Sequence, residues 1–154
     1  MIYLTRRATF SASHYYWNPA WTEEKNRLVF GRCANRNGHG HNYTLEVTVA
    51  GEPDPVTGFV IDLKWLKDVI EREVLDAWDH RHLNLEVPEF AASEFAQSAE
   101  LGMIPTTENL AIAAWKRLEP AVTAAAKRSN GGARLSRVRV YETPEIFAEF
   151  RGEP

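Results

Sequence analysis

The chain is poor in sulfur, with one cysteine, Cys33, and two methionines among 154 residues. A single thiol excludes an intrachain disulfide and any cysteine-rich structural zinc site, so the cytoplasm is the expected compartment and the thiol stays available for chemistry. No apolar run is long enough to span a bilayer, and the stretch Met1–Thr9 carries two arginines without the apolar core and cleavage site of a secretory signal. There is no excess of positive charge either: the net charge is -3 and the pI about 6.0, which gives no electrostatic footprint for nucleic acid. Repeats and low-complexity tracts are absent. What is present, 44% hydrophobic and 11% aromatic residues over the length of one ordinary domain, predicts a single soluble domain spanning 1–154.

The most informative stretch is Cys33-Ala34-Asn35-Arg36-Asn37-Gly38-His39-Gly40-His41. From His41 onward Tyr43, Leu45, Val47 and Val49 alternate with Asn42, Thr44, Glu46 and Thr48, the pattern of a half-buried strand. His39 and His41 continue its apolar side. Two imidazoles two residues apart on one strand face can converge on one ion. A third is offered by the first strand, where Leu4, Ala8, Phe10 and Ala12 share a parity whose next member is His14. Three neutral imidazoles with one open position is the usual arrangement of a catalytic zinc. Any one of these histidines alone is more simply a hydrogen-bonded core or surface residue; the in-register trio favours metal.

The remaining pattern predicts a strand over Ile2–His14, a long irregular segment over Tyr15–Asn37, and a turn-rich stretch over Gly51–Gly58. Asp62 is placed to cap a helix running from Leu63 to Ala77 along the stripe Leu63, Leu66, Ile70, Val74 and Ala77. Asp79–Gly102 reads as connection, with Phe90–Ala99 a candidate short helix. A second helix opens at Pro105-Thr106-Thr107 with the stripe Ala111, Trp115, Leu118 and Val122, and ends near Ser129–Gly132. Two strands, Leu135–Glu142 and Ile146–Arg151, close the chain. This order of strands and helices predicts an α+β fold rather than a βαβ nucleotide-binding one.

Three further features bear on chemistry. Cys33 sits close enough in sequence to the histidines for a chain reversal to bring its thiol beside the ion without ligating it, where the thiolate could act as nucleophile or proton acceptor. Asp79-His80 joins a carboxylate to an imidazole at the exit of the first helix and could relay a proton; the helix dipole explains such a histidine equally well, and His82 is a rival for the role. Glu142 shares the parity of Val138 and Val140, which puts a carboxylate where an apolar face should continue. A strand-end glutamate usually reaches water, whereas a buried one is useful where it meets two parallel N–H donors, as on a guanidinium or the amino-pyrimidinone edge of a pterin.

Phe10-Ser-Ala-Ser-His14, Phe30-Gly-Arg-Cys33, Asn37-Gly-His-Gly-His-Asn-Tyr43, Gly51-Glu-Pro-Asp-Pro-Val-Thr-Gly58, Asp79-His80, Pro105-Thr-Thr-Glu-Asn109 and Val140-Tyr-Glu-Thr143 together resemble the family of 6-pyruvoyl-tetrahydropterin synthase and its relative, 6-carboxy-tetrahydropterin synthase of queuosine biosynthesis. The resemblance runs over nearly the whole chain. It implies the tunnelling fold (T-fold), in which a subunit contributes a four-stranded antiparallel sheet and two helices, three subunits close a barrel, and two trimers commonly stack into a hexamer. It implies Zn2+ on His14, His39 and His41, Cys33 as general base, and Asp79 with His80 completing a proton relay across a subunit boundary. Glu142, helped by Thr106, Thr107 and Glu108, would anchor the pterin ring.

The implied substrate is 7,8-dihydroneopterin triphosphate, which loses triphosphate to give 6-pyruvoyl-tetrahydropterin; the carboxy-forming relatives also release acetaldehyde. The five residues between Cys33 and His39 match the pyruvoyl-forming type, the carboxy-forming type having a shorter interval. A non-catalytic pterin-binding protein on the same scaffold is the alternative of another class, and intact Cys33, Asp79 and His80 argue against it. The triphosphate needs positive charge, for which Arg6, Arg7, Lys25, Arg27 and Arg32 are candidates. Glu89–Ile104 is longer than expected for the family and would serve as a lid or an interface.

Overall fold

The computed structural model describes residues 1–91, 103–126 and 132–152. Alternation produces two long strands, β1 (Ile2–His14) and β2 (His39–Gly51), paired antiparallel along their whole length from Ile2 opposite Gly51 to His14 opposite His39. β4 (Arg134–Thr143) pairs antiparallel with the other side of β2, and β5 (Ile146–Phe150) follows it through a tight turn. The helix read from the Leu63 stripe is α2: it runs Leu63–Ile70, loosens into a π-helical stretch, Glu71–Leu75, and ends with the turn Asp76–Trp78. Asp62 caps it as expected, its carboxylate accepting from the amides of Lys64 and Trp65 at 2.7 and 3.1 Å.

Three expectations change. The sheet has five strands rather than four, in the order β3-β1-β2-β4-β5, and is mixed: β3 (Arg81–His82) lies parallel to β1, with Ala12 opposite Arg81 and Ser13 opposite His82. The cause is local, because His80 adopts a left-handed φ of 57° and donates its amide to the Ser11 carbonyl at 2.6 Å, which lays the chain along the edge of β1. The segment Tyr15–Asn37 is not wholly irregular. It holds α1 (Glu23–Phe30), capped by Thr22 Oγ1 accepting from the Lys25 amide at 3.2 Å, and a 3-10 turn over Gly31–Ala34. Nor is Asp79–Gly102 only connection, since β3 and the single-turn α3 (Leu83–Glu86) lie within it. The candidate helix over Phe90–Ala99 falls almost entirely outside the described residues.

The second long helix, α4, spans Thr107–Ala126; the expected end near Ser129–Gly132 lies mostly outside the described residues. One sheet face packs Phe10, Tyr43, Leu45, Val47, Val138 and Val140 against Leu66, Ile70 and Val74 of α2 and Leu110, Leu118 and Val122 of α4. The opposite face is polar. There Arg7 pairs with Glu46 at 2.6 Å, and Arg139 with Glu149, while Thr5 shares a hydroxyl contact of 2.8 Å with Thr48. Glu46 and Thr48 are nevertheless buried, because β2 is central and its neighbours' side chains close over it. Between α3 and α4 the chain is pinned at both ends: the Glu89 carbonyl accepts from the Met103 amide at 3.0 Å, and the Glu89 carboxylate accepts from Arg117 Nη2 of α4 at 2.9 Å. Among the described residues no helix is long and apolar enough to cross a membrane.

Candidate active site

The register of β1 on β2 builds the site. His14 and His39 are direct cross-strand partners, and His41 sits opposite Ala12 on the same face. Their ring centroids are 4.7, 5.1 and 4.9 Å apart, and His14 Nε2 lies 3.2 Å from His39 Nε2. Glu142 completes the group: one ligating atom from each of the four residues lies within 4.8 Å of all the others. His41 Nε2 is 3.2 Å from Glu142 Oε1 but out of line for a hydrogen bond, which leaves this buried nitrogen without a partner among the described residues. A divalent cation fits that donor set. Three imidazoles and a carboxylate around one point, one nitrogen orphaned, suit zinc as a borderline acid.

Neighbours orient these side chains. His14, fully buried, places Nδ1 2.9 Å from the Pro105 carbonyl, so the Nδ1–H tautomer donates there and the Nε2 lone pair faces the cluster. The Tyr43 hydroxyl lies 3.2 Å from the same nitrogen. Burial above all pushes the His14 imidazole down to about 4 and that of His41 below its ordinary value, so both are held neutral, the form in which an imidazole can take a metal. The folded value of His14 is below its unfolded 6.5, so the unfolded chain binds the proton first on acidification. Metal-free protein should therefore lose about 2 kcal/mol of stability between pH 7 and pH 5 from His14, measurable as a lower urea midpoint and absent in His14→Gln.

Glu142 is held by its second oxygen, which accepts from the Thr107 hydroxyl and, at 3.3 Å, from Tyr16. Glu142 adjoins the histidines because β4 next to β2 brings it to His41. Thr106 caps α4, its hydroxyl accepting from the Asn109 amide at 3.3 Å, and Glu108 is exposed in the first turn. The sequence reading gave no site role to Tyr16, Tyr43 or Pro105. Tyr16 extends the parity series Phe10, Ala12, His14 by one step, and Tyr43 does the same for His39 and His41, so both carried a signal. Burial and then the charge of Glu142 push the Tyr16 and Tyr43 phenols up.

Cys33 lies in the 3-10 turn, half-buried, and its carbonyl accepts from the Tyr16 amide at 2.7 Å, which ties the thiol-bearing turn to the ligand strand. Burial first, and Glu142 second, push its thiol up. Protein groups alone therefore disfavour the thiolate, and a nearby cation would oppose that. Asp79 and His80 form the expected pair, Asp79 Oδ2 being 3.0 Å from His80 Nδ1 while Oδ1 accepts from the Ser11 amide at 2.8 Å. His80 is 82% exposed and opens onto a cleft lined by Ser11, Asn42 and Glu86 that also reaches His41 and His82. Among the described residues no hydrogen bond or ion pair joins this pair to Cys33.

Gly38 makes the approach to His39 possible. Its φ is 76°, and a Cβ there would stand 3.0 Å from His82 Nε2 and 3.1 Å from the His14 carbonyl oxygen. Gly38→Ala should cost about 1–2 kcal/mol from the left-handed backbone alone, with the close contacts adding to it. Because the contact is with the ligand strand, a lower denaturation midpoint should be accompanied by reduced metal content.

A free thiol beside a cluster of three histidines and a carboxylate, at one end of an α+β sheet, defines a protein with a metal-capable reaction centre. The chain belongs to the 6-pyruvoyl tetrahydropterin synthase family, whose model matches residues 3–153. A human relative, 6-pyruvoyl tetrahydrobiopterin synthase, is 37% identical over 150 residues, covering 97% of this chain and 91% of the relative. The 6-carboxy-5,6,7,8-tetrahydropterin synthase of Rickettsia bellii is 27% identical over 154 residues, covering 97% and 99%. The structure of Caenorhabditis elegans 6-pyruvoyl tetrahydropterin synthase superposes with a TM-score of 0.80 at 33% identity, covering 99% of this chain and 96% of that one.

Proposed function

We propose that the chain, as one domain, is a zinc-dependent carbon–oxygen lyase that converts 7,8-dihydroneopterin triphosphate to 6-pyruvoyl-tetrahydropterin with loss of triphosphate. The observation that carries this reading is the convergence of His14, His39, His41 and Glu142 beside Cys33. His14, His39 and His41 would hold the ion, and bound zinc would acidify the hydroxyls and adjacent carbon of the substrate side chain. Cys33 takes the proton from that carbon. Glu142 accepts from the amino-pyrimidinone edge of the pterin in place of its present donors, with Thr106, Thr107 and Glu108 lining the ring's position. The exposed Asp79–His80 pair serves a neighbouring subunit's thiol and completes the relay there, in a barrel closed by three copies, or six in stacked trimers; the exposure of His80 and the open single-chain sheet support this reading.

Identity favours the pyruvoyl product, with 37% to the human enzyme against 27% to the Rickettsia carboxy-type enzyme. The five-residue interval before His39 agrees with it. Incubation of purified protein with dihydroneopterin triphosphate, with the pterin identified by mass, tests the reading: a pyruvoyl side chain is expected. Acetaldehyde together with a 6-carboxylated ring would establish the carboxy-type activity instead, and elemental analysis of unsupplemented protein should find zinc.

A further inference from the structure

The turn that carries Cys33 has a second side. Arg32 and Ala34, which flank the cysteine, line a cavity of about 770 Å³ together with Trp17, Arg27 and Arg36. That volume is ample for a charged tail, small-molecule sites typically being about 300–1,000 Å³. On a chain of net charge -3 this wall gathers three arginines against one acid, Glu23. Guanidinium forks match phosphate oxygens two at a time. Two of the three are already positioned: Arg36 sits over the Trp17 ring at 5.2 Å and near Tyr15 at 5.9 Å, and Arg27 is braced by Glu23 at 2.6 Å. Stacking fixes the guanidinium plane while leaving its N–H edges free to donate.

The other cations suggested by the sequence face elsewhere. Arg7 is paired with Glu46 on the polar sheet face, Arg6 lines a separate cleft with Lys67, Asp76 and Asp79, and Lys25 lies over Trp21 at 4.3 Å. We propose that Arg27, Arg32 and Arg36, backed by Trp17, form the polyphosphate seat of the site, receiving the triphosphate tail of the substrate as it leaves the carbon beside Cys33. The identity of the tail rests on the function proposed above; the seat itself rests on the cavity and its charges. Arg32 and Ala34 flank Cys33 in the same turn, so the cavity adjoins the residue that carries the thiol.

Titration of the metal-loaded protein with inorganic tripolyphosphate, followed calorimetrically, tests this without the pterin. Arg32→Ala/Arg36→Ala should weaken tripolyphosphate binding at least tenfold and raise KM for the pterin substrate by a similar factor with kcat within about twofold. Lys25→Ala, on the same helix as Arg27 but outside the cavity, should change either by less than twofold, and Arg36→Glu should lose more than Arg36→Ala. A double variant with unchanged melting temperature and metal content that binds tripolyphosphate like the parent overturns the seat. Arginine-dependent tripolyphosphate binding without turnover of dihydroneopterin triphosphate would instead support the seat and refute the pterin reading.

Discussion

Cys33→Ala is expected to lower kcat by about 10²–10⁴-fold, the range of a positioned general base, with metal content and melting temperature unchanged. The side chain is small and half-buried, and the turn is held by the Cys33 carbonyl rather than by the thiol, so its loss should leave the backbone in place. Binding of a pterin product should survive, since Glu142, Thr107 and the histidines are untouched. Turnover equal to the parent would remove Cys33 as the base. Cys33→Ser should recover little, because a hydroxyl is a far weaker acid than a thiol whose proton a nearby cation helps to release.

His39→Ala should abolish activity by emptying the metal site. Removing a group that merely hydrogen-bonds a ligand typically costs roughly 10–100-fold in metal affinity, and loss of a ligand itself should exceed that. His39 is the informative choice among the three, being partly exposed, whereas His14 is buried and hydrogen-bonded to Pro105, so that truncating it would also open a cavity. Elemental analysis of dialysed variant and parent measures the effect directly. Parental zinc stoichiometry in folded His39→Ala would show that the ion, if bound, sits elsewhere.

The strands and the histidine cluster were legible in the sequence because both depend on parity. A two-residue period places His14, His39 and His41 on the core-facing side of β1 and β2, and the pairing of these strands at matched ends makes them meet. α1 left no such trace: the residue it buries is Asn26, whose side-chain amide donates to the Asn18 carbonyl at 2.9 Å, while Leu28 and Val29 point to solvent. A helix held by a polar anchor has no apolar stripe to read. β3 was invisible for a different reason, since two residues carry no period and their pairing depends on the left-handed turn at His80. Pro105 acts through its carbonyl, which every residue has, so no residue type could announce its contact with His14.

The pinning of Glu89 to Met103 and Arg117 has a consequence for how the gene can change. With the two ends of the intervening segment tied by a backbone hydrogen bond and an ion pair, its length is decoupled from the position of Pro105 and thus from the imidazole that Pro105 orients. Closing a longer loop costs only about 0.6 kcal/mol for each doubling. Insertions between the clamped ends are therefore cheap and silent at His14, whereas a one-residue insertion between Met103 and Thr107 would move the carbonyl and the Glu142 donor together. Length can therefore vary between Glu89 and Met103, but not between Met103 and α4, without moving the groups around His14 and Glu142.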